Sequence, residues 1–193
     1  MCRPRGRRVR GLAAMAGLLV VRHAEPRVDG EAPAAEWPLT ERGRERASAL
    51  AHTLAARLEI TEVWSSPERK ARETAALAVP GVTAAVWNEL VEVGRPWYPT
   101  GDKHEAATSE YLTGRDLAGW EPHAEVLHRL QTIERALPLT GCVVVVSHGV
   151  LLTTWLARAI GLEEPARFWR DMLLPDAWAV DLATRAVERV ATT

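Results

Sequence analysis

Apolar residues are distributed along this chain in two distinct patterns. Unbroken apolar runs at 17–21 and 142–146 predict strands that are buried on both faces of a sheet. Residues 41–58 instead repeat their apolar positions at helical spacing, which predicts an amphipathic helix with Thr40 as its N-cap. Because strands and helices alternate along the chain, we predict an α/β fold, a three-layer αβα sandwich with a mostly parallel sheet.

Shorter patterns place the remaining elements of this fold. Ser66-Pro67-Glu68 predicts the start of a helix that ends near Ala78, because serine favours the cap and proline the first turn. The other helices are expected near 103–112, at 121–137 and at 150–160. The other strands are expected at 62–65 and 82–86, with a C-terminal edge hairpin formed by 178–182 and 186–190.

Length and composition fit one globular domain. The chain has 193 residues, of which 47% are hydrophobic and 25% are charged. A formal net charge of -1 argues against a general nucleic-acid binder, and no apolar run approaches the ~20 residues that a membrane span needs. Residues 1–16 are basic and lack apolar periodicity, so we expect a disordered tail or a start codon placed too early, followed by one domain over 17–193.

The two cysteines bear on the expected location of the protein. Cys2 lies in the basic tail, and Cys142 begins the second long apolar run. This placement suggests neither a disulfide framework nor a zinc site, so the cytoplasm is the expected compartment.

Histidines follow both of the long apolar runs. Arg22-His23 comes directly after the first run, and Ser147-His148 comes directly after the second. Ligands bind outside the carboxyl ends of the strands in parallel sheets. We therefore expect both histidines at the edge of the sheet where the chemistry takes place.

The residues around these histidines suit phosphoryl transfer. A histidine that attacks phosphorus must be neutral, and an adjacent cation such as Arg22 both lowers the pKa of His23 and holds anionic oxygens. The helix start at 65–70 offers backbone N–H groups and two further basic residues, Arg69 and Lys70. From the opposite side, His148 could donate hydrogen bonds to the phosphoryl oxygens.

Phosphoryl transfer also needs a carboxylic acid that protonates the leaving oxygen. Glu89 and Glu92 both follow the third predicted strand, on the same edge of the sheet as the histidines. The pattern alone leaves open which of the two glutamates supplies the proton.

Four motifs stand in order along the chain. They are Arg22-His23-Ala24-Glu25, Pro38-Leu39-Thr40-Glu41-Arg42-Gly43, Ser65-Ser66-Pro67 through Ala71-Arg72-Glu73-Thr74-Ala75, and Ser147-His148-Gly149. Together they resemble the motifs of the histidine phosphatase superfamily, also called phosphoglycerate mutase-like. The resemblance extends from about Leu18 to Leu182, and four motifs in family order are far more specific than any one of them.

This resemblance implies roles for individual residues. His23 would form the covalent phosphohistidine, and Arg22 and His148 would bind the phosphoryl group. The last motif is similar to that of the branch whose general acid is a glutamate after the third strand, and the Leu-x-Glu pattern of that branch selects Glu92 over Glu89.

Two departures from the family pattern concern the phosphate site. The arginine that contacts phosphate in the family falls at Lys70, and lysine keeps the charge but loses the bidentate fork. Arg69, one position earlier, projects roughly 100° away on a helix, so Lys70 is the expected phosphate ligand. Ala24 replaces the usual glycine of the first motif and adds a methyl group near the ligand.

We therefore expect a metal-independent phosphatase that hydrolyses small phosphomonoesters, with a phosphohistidine on His23 and Glu92 as general acid and base. A phosphomutase and a low-activity phospho-ligand binding or regulatory domain are the alternatives, the second because Lys70 replaces arginine. No cofactor and no metal are expected, since Arg22 and Lys70 would repel a divalent ion. We expect no nucleic-acid or membrane partner, and the tryptophan-rich segments permit a homodimer.

Overall fold

A mixed sheet lies at the centre of the protein. The computed structural model describes residues 17–57, 60–98 and 101–190, so the expectation for the tail at 1–16 lies outside the described residues. Within the described ranges the strands are β1 (Gly17–Arg22), β2 (Ile60–Ser65), β3 (Ala85–Val86), β4 (Cys142–Ser147), β5 (Asp176–Asp181) and β6 (Ala186–Arg189).

The order of the strands across the sheet is β3-β2-β4-β1-β5-β6. The first four strands in this order pair in parallel, whereas β5 pairs antiparallel with β1 and β6 pairs antiparallel with β5. β5 and β6 are the predicted C-terminal hairpin at the edge of the sheet. The predicted three-layer sandwich with a mostly parallel sheet is therefore confirmed.

Helices cover both faces of this sheet. They are α1 (Glu41–Arg57), α2 (Arg69–Ala78), α3 (Asp102–Tyr111), α4 (His123–Ala136), α5 (Gly149–Ile160) and α6 (Pro165–Asp171). In β1, Leu18 and Val20 belong to the apolar core that includes α4 and α5, while Leu19 and Val21 belong to the core beneath α1 and α2. β1 and β4 therefore bury both of their faces, which explains the two unbroken apolar runs in the sequence.

Three elements differ from the prediction. The third strand is limited to Ala85–Val86, and α6, which begins with Pro165 in its first turn, was not predicted. The helix predicted to begin at Ser66 begins instead at Arg69. The Ser66 N–H donates to the Val146 carbonyl at 3.0 Å, so this residue continues the pairing of the sheet rather than capping a helix.

The described helices also bear on membrane insertion. Within the three described ranges, no helix combines the length and the apolar character that a membrane crossing requires.

Candidate active site

The two histidines that follow the apolar runs lie side by side at one edge of the sheet. The register of β1 and β4 pairs Arg22 with Ser147, the last residues of their strands, and the His23 N–H donates to the Ser147 carbonyl at 2.9 Å. The ring centroids of His23 and His148 are 5.1 Å apart in an edge-on arrangement. Both imidazoles are buried, with His23 8% exposed.

His23 has the protonation state of a nucleophile. Its Nδ1 lies 2.8 Å from the carbonyl oxygen of Ala24, and a carbonyl can only accept, so Nδ1 carries the proton. The lone pair therefore remains on Nε2. Burial lowers the pKa of His23 well below its ordinary value, and the neighbouring His148, Arg22 and Lys70 lower it further. A neutral imidazole with a lone pair on Nε2 can attack an electrophilic phosphorus.

Arg22 places a partly buried cation beside His23. Its Nη1 donates to the Met172 carbonyl at 3.1 Å, and this hydrogen bond holds the side chain in place. Its Nε is buried and has no hydrogen-bond partner among the described residues. Burial lowers the pKa of Arg22, although Glu92 and Asp176 act in the opposite direction. A buried guanidinium N–H without a partner is a donor available to an anion.

Lys70 supplies a second cation from the first turn of α2. The side chain is 7% exposed, and its Nζ donates to the Ala34 carbonyl at 2.8 Å. The same Nζ lies 5.8 Å from the centre of the Trp37 ring. Arg69, in contrast, is 45% exposed and pairs with Glu73 at 2.8 Å, so of the two basic residues it is Lys70 that faces the buried histidines.

His148 is completely buried at the start of α5. Its Nε2 lies 2.8 Å from the Ser66 hydroxyl and 3.2 Å from Glu68 Oε1, whereas its Nδ1 has no partner among the described residues. Burial lowers the pKa of His148 to about 3, with Lys70, Arg95 and Arg22 acting in the same direction against Glu92. The imidazole is therefore neutral, and with its proton on Nε2 it donates toward the carboxylate.

Glu92 brings a carboxylate to the same group of residues. Its Oε1 accepts backbone N–H bonds from Val93 and Leu151, both at 2.9 Å, and its Oε2 lies 3.6 Å from Arg95 Nη1. Burial raises the pKa of Glu92, but the charge of Arg95 and these hydrogen bonds outweigh that effect and lower it to about 2. Glu92 is accordingly ionised when the site holds no substrate.

Glu89, the other candidate acid, has a different position. It lies in a short 3-10 turn, Asn88–Leu90, that precedes Glu92. Its backbone carbonyl accepts a hydrogen bond from Arg129 Nη1 at 2.7 Å. Glu89 thus contributes to the frame that supports Glu92, and the carboxylate that meets the start of α5 belongs to Glu92.

Glu68 is a pocket residue that the sequence analysis missed. The sequence analysis placed it only at a predicted helix start, yet its Oε1 lies 3.2 Å from His148 Nε2 and accepts the Glu92 N–H at 3.0 Å. Its Oε2 forms an ion pair with Lys70 Nζ. The available signal was its position two residues before Lys70, at a helix start expected to approach the histidines.

The loop after His23 is anchored against the start of α1. Thr40 Oγ1 accepts the Gly43 N–H at 2.9 Å, as expected of an N-cap, and the Thr40 N–H donates to the Glu25 carbonyl at 3.0 Å. A Cβ on Gly43 would lie 2.4 Å from that carbonyl oxygen. Glycine is thus required at this position for the close approach of the two segments.

Aromatic side chains surround the cationic groups. Trp37 packs edge-on against Trp97 at 5.3 Å between ring centroids, and Trp97 is 60% exposed. On the Glu92 side, Arg95 lies 5.7 Å from the centre of the Trp120 ring. The segment Arg95–Tyr98 therefore lies beside the site.

The donor set of the site bears on metal binding. Within the described ranges, no cluster of three or more histidine, cysteine, aspartate or glutamate side chains has the arrangement of a metal site. The cations Arg22 and Lys70 beside the histidines favour an anion over a metal ion.

The chain resembles several solved structures over nearly its whole length. A phosphoglycerate mutase from Thermus thermophilus is 25% identical, with a TM-score of 0.66 over 92% of this chain and 99% of its own. TTHB049 from the same organism is 25% identical, with a TM-score of 0.65 over 91% and 99% of the two chains. A mycobacterial glucosyl-3-phosphoglycerate phosphatase, at 20% identity and a TM-score of 0.66 over 93% and 99%, shares the fold. None of the curated proteins compared with the chain matches it.

The fold and the site together define a class of α/β proteins that hold two histidines and several cations at the carboxyl edge of a parallel sheet. The model of the histidine phosphatase superfamily (branch 1) matches residues 18–183. The chain belongs to this superfamily, as the four motifs indicated.

Proposed function

We propose that the protein is a metal-independent phosphatase that hydrolyses phosphomonoesters through a phosphohistidine on His23. The observation that carries this proposal is the state of His23, which is neutral and holds its proton on Nδ1 through Ala24. The ring lies 5.1 Å from that of His148, beside Arg22, whose Nε is buried and has no hydrogen-bond partner among the described residues. These neighbours favour the attack of Nε2 on a phosphoryl group and stabilise the anionic oxygens during transfer.

In the first step, His23 Nε2 forms a bond to phosphorus while the bond between phosphorus and the leaving oxygen breaks. Glu92 gives a proton to the leaving oxygen. The carboxyl acquires this proton on substrate binding, because a phosphoryl dianion beside Glu92 raises its pKa through like-charge repulsion. The leaving alcohol then departs, and the phosphoryl group remains on His23.

In the second step, water attacks the phosphohistidine. The Glu92 carboxylate takes a proton from the water as its oxygen bonds to phosphorus, and the breaking P–N bond returns its electron pair to His23 Nε2. Inorganic phosphate is released and the neutral histidine is restored. Arg22, Lys70 and His148 bind the phosphoryl oxygens in both steps.

The test is hydrolysis of p-nitrophenyl phosphate by the purified protein and by His23→Ala. We expect the variant to lose turnover, because no other residue has the same position and lone pair. His52→Ala, which removes an exposed histidine from α1, serves as the control and should retain activity. Full activity in His23→Ala would contradict the covalent role, and activity that a chelator abolishes would contradict the metal-independent mechanism.

A phosphomutase is the second candidate, and the likeness to a phosphoglycerate mutase structure favours it. A mutase returns the phosphoryl group from His23 to its substrate and must shield it from water. Incubation with a bisphosphorylated sugar acid separates the two activities, because a mutase yields isomerised product without free phosphate.

A low-activity phospho-ligand binding domain is the third candidate. The ion pair between Lys70 and Glu68 favours it, since this pair engages a cation that would otherwise bind phosphate. Tight vanadate binding without hydrolysis of any phosphomonoester in a broad panel would support this function.

We also propose a cytoplasmic location, because the low cysteine content does not suggest a disulfide framework.

A further inference from the structure

Glu68 is placed where an anionic ligand would be expected. We infer that its carboxylate is an internal ligand of the phosphate pocket, which competes with the phosphoryl group and lowers the affinity for phosphate. This inference rests on the proposed function, since it assigns Glu68 to the same pocket. It adds a residue that determines how tightly substrate and product bind.

The contacts of Glu68 are those of a bound anion. Its carboxylate engages three donors on three different segments, namely the Lys70 ammonium, the His148 Nε2 at 3.2 Å and the Glu92 backbone N–H at 3.0 Å. A carboxylate only accepts hydrogen bonds, and its two oxygens can replace two oxygens of a phosphoryl group. Any phosphoryl group that uses these donors must first displace Glu68.

Glu68 does not take the role that its position at the helix start would suggest. It is the N-cap residue of α2, yet its side chain makes no capping hydrogen bond. The side chain is instead 12% exposed and directed toward His148. Capping of α2 therefore does not account for the placement of this carboxylate.

Charge balance explains why the carboxylate remains in the pocket. Lys70 is nearly buried, and a buried cation without a partner is unfavourable. Glu68 neutralises Lys70 in the absence of substrate, much as Glu92 neutralises Arg95 at 3.6 Å. A bound phosphoryl group takes over the neutralisation of Lys70, so the carboxylate and the phosphoryl group exchange.

This exchange has a consequence for affinity. When only a fraction of the molecules has the pocket free, the apparent dissociation constant equals the intrinsic constant divided by that fraction. The same competition accelerates release of inorganic phosphate, because Glu68 can return to the donors as the product leaves. Removal of the carboxylate should therefore tighten binding of both substrate and product.

The test is direct binding of inorganic phosphate and of orthovanadate to the full chain by isothermal titration calorimetry. In Glu68→Gln and Glu68→Ala we expect the phosphate dissociation constant to fall by about tenfold or more. Glu73→Gln is the matched control, since it removes a carboxylate from the same helix that pairs with Arg69, and it should bind phosphate like the wild type.

A crystal structure with vanadate bound to the wild type gives a second measurement. We expect the Glu68 side chain to be rotated away from Lys70 and His148 in that complex. Unchanged or weaker phosphate binding in both folded Glu68 variants would overturn the inference. So would vanadate bound beside a Glu68 carboxylate that keeps all three contacts, or failure of the wild type and both variants to bind either anion.

Binding and turnover separate this inference from the proposed function. Tighter phosphate binding in the variants, without hydrolysis by any form, would support the role of Glu68 and contradict the phosphatase. Hydrolysis by the wild type with phosphate affinity unchanged in the variants would support the phosphatase and contradict the role of Glu68. If both hold, the variants should show a lower KM for p-nitrophenyl phosphate and stronger inhibition by phosphate.

Discussion

The buried neutral histidines should make the stability of this protein depend on pH. The pKa of His148 falls from 6.5 in the unfolded chain to about 3 in the folded protein. As the pH decreases below the unfolded pKa, the unfolded chain binds a proton that the folded protein does not, and this binding stabilises the unfolded state relative to the folded state. The contribution of His148 to stability is thus present above the unfolded pKa and is lost as the pH falls toward the folded pKa.

The size of this loss follows from the unfolded pKa and the final pH. Between about pH 8 and about pH 5, His148 should cost the folded state ~2 kcal/mol, since each pH unit below the unfolded pKa is worth about 1.36 kcal/mol. His23, whose pKa is also lowered by burial, adds a loss of the same sign. Urea unfolding at the two pH values measures the sum as a change in the free energy of unfolding.

Substitution isolates the share of His148. In His148→Asn, the difference in unfolding free energy between the two pH values should shrink by ~2 kcal/mol. Any loss of stability that the substitution causes equally at both pH values cancels in this difference. His52→Asn, at an exposed position of α1, should keep the full wild-type difference. An unchanged pH dependence in His148→Asn would refute the reasoning, because it would mean that His148 is protonated or solvated in the folded protein.

Two further substitutions test the site and the packing of the loop after His23 against α1. Glu92→Gln should lower kcat for an alkyl phosphate by about 10²–10⁴. The loss should be smaller for p-nitrophenyl phosphate, because its leaving group needs little protonation. Equal losses on both substrates would contradict the role of Glu92 as general acid. Gly43→Ala should lower the free energy of unfolding by ~1–3 kcal/mol, because a Cβ there would lie 2.4 Å from the Glu25 carbonyl oxygen. Gly30→Ala is the control, because a Cβ at that position meets nothing within 4 Å. Thermal unfolding measures the stability of both variants, and an equal loss of stability in the two would contradict the close approach at Gly43.

The central strands and the two histidines that follow them could be predicted from the sequence, because the patterns that indicate them are local. The apolar runs of β1 and β4 each fill both faces of the sheet, and the residue that follows each strand is a histidine. A strand that ends at the carboxyl edge must place the next residue at that edge. The convergence of His23 and His148 therefore follows from two short patterns, without knowledge of the remaining packing.

The contacts of Glu68 and the start of α2 could not be predicted in the same way. Serine and proline, the residues at 66 and 67, are typical of a helix start, but a long-range hydrogen bond from the Ser66 N–H to the Val146 carbonyl keeps this segment extended. Glu68 is the N-cap residue of α2, but its side chain pairs with Lys70 and with the distant His148 instead of capping the helix. Such choices depend on which buried charges need partners in the folded chain, and that information is not local.

The pairing of β1 with β4 also determines which parts of this protein can be redesigned. The two imidazoles are mounted on adjacent strands whose main chains are joined by hydrogen bonds, so their spacing is a property of the scaffold. The segments that carry Trp37 and Trp97 lie outside that scaffold. A protein engineer could exchange these segments to accommodate a different leaving group while the reactive pair keeps its geometry.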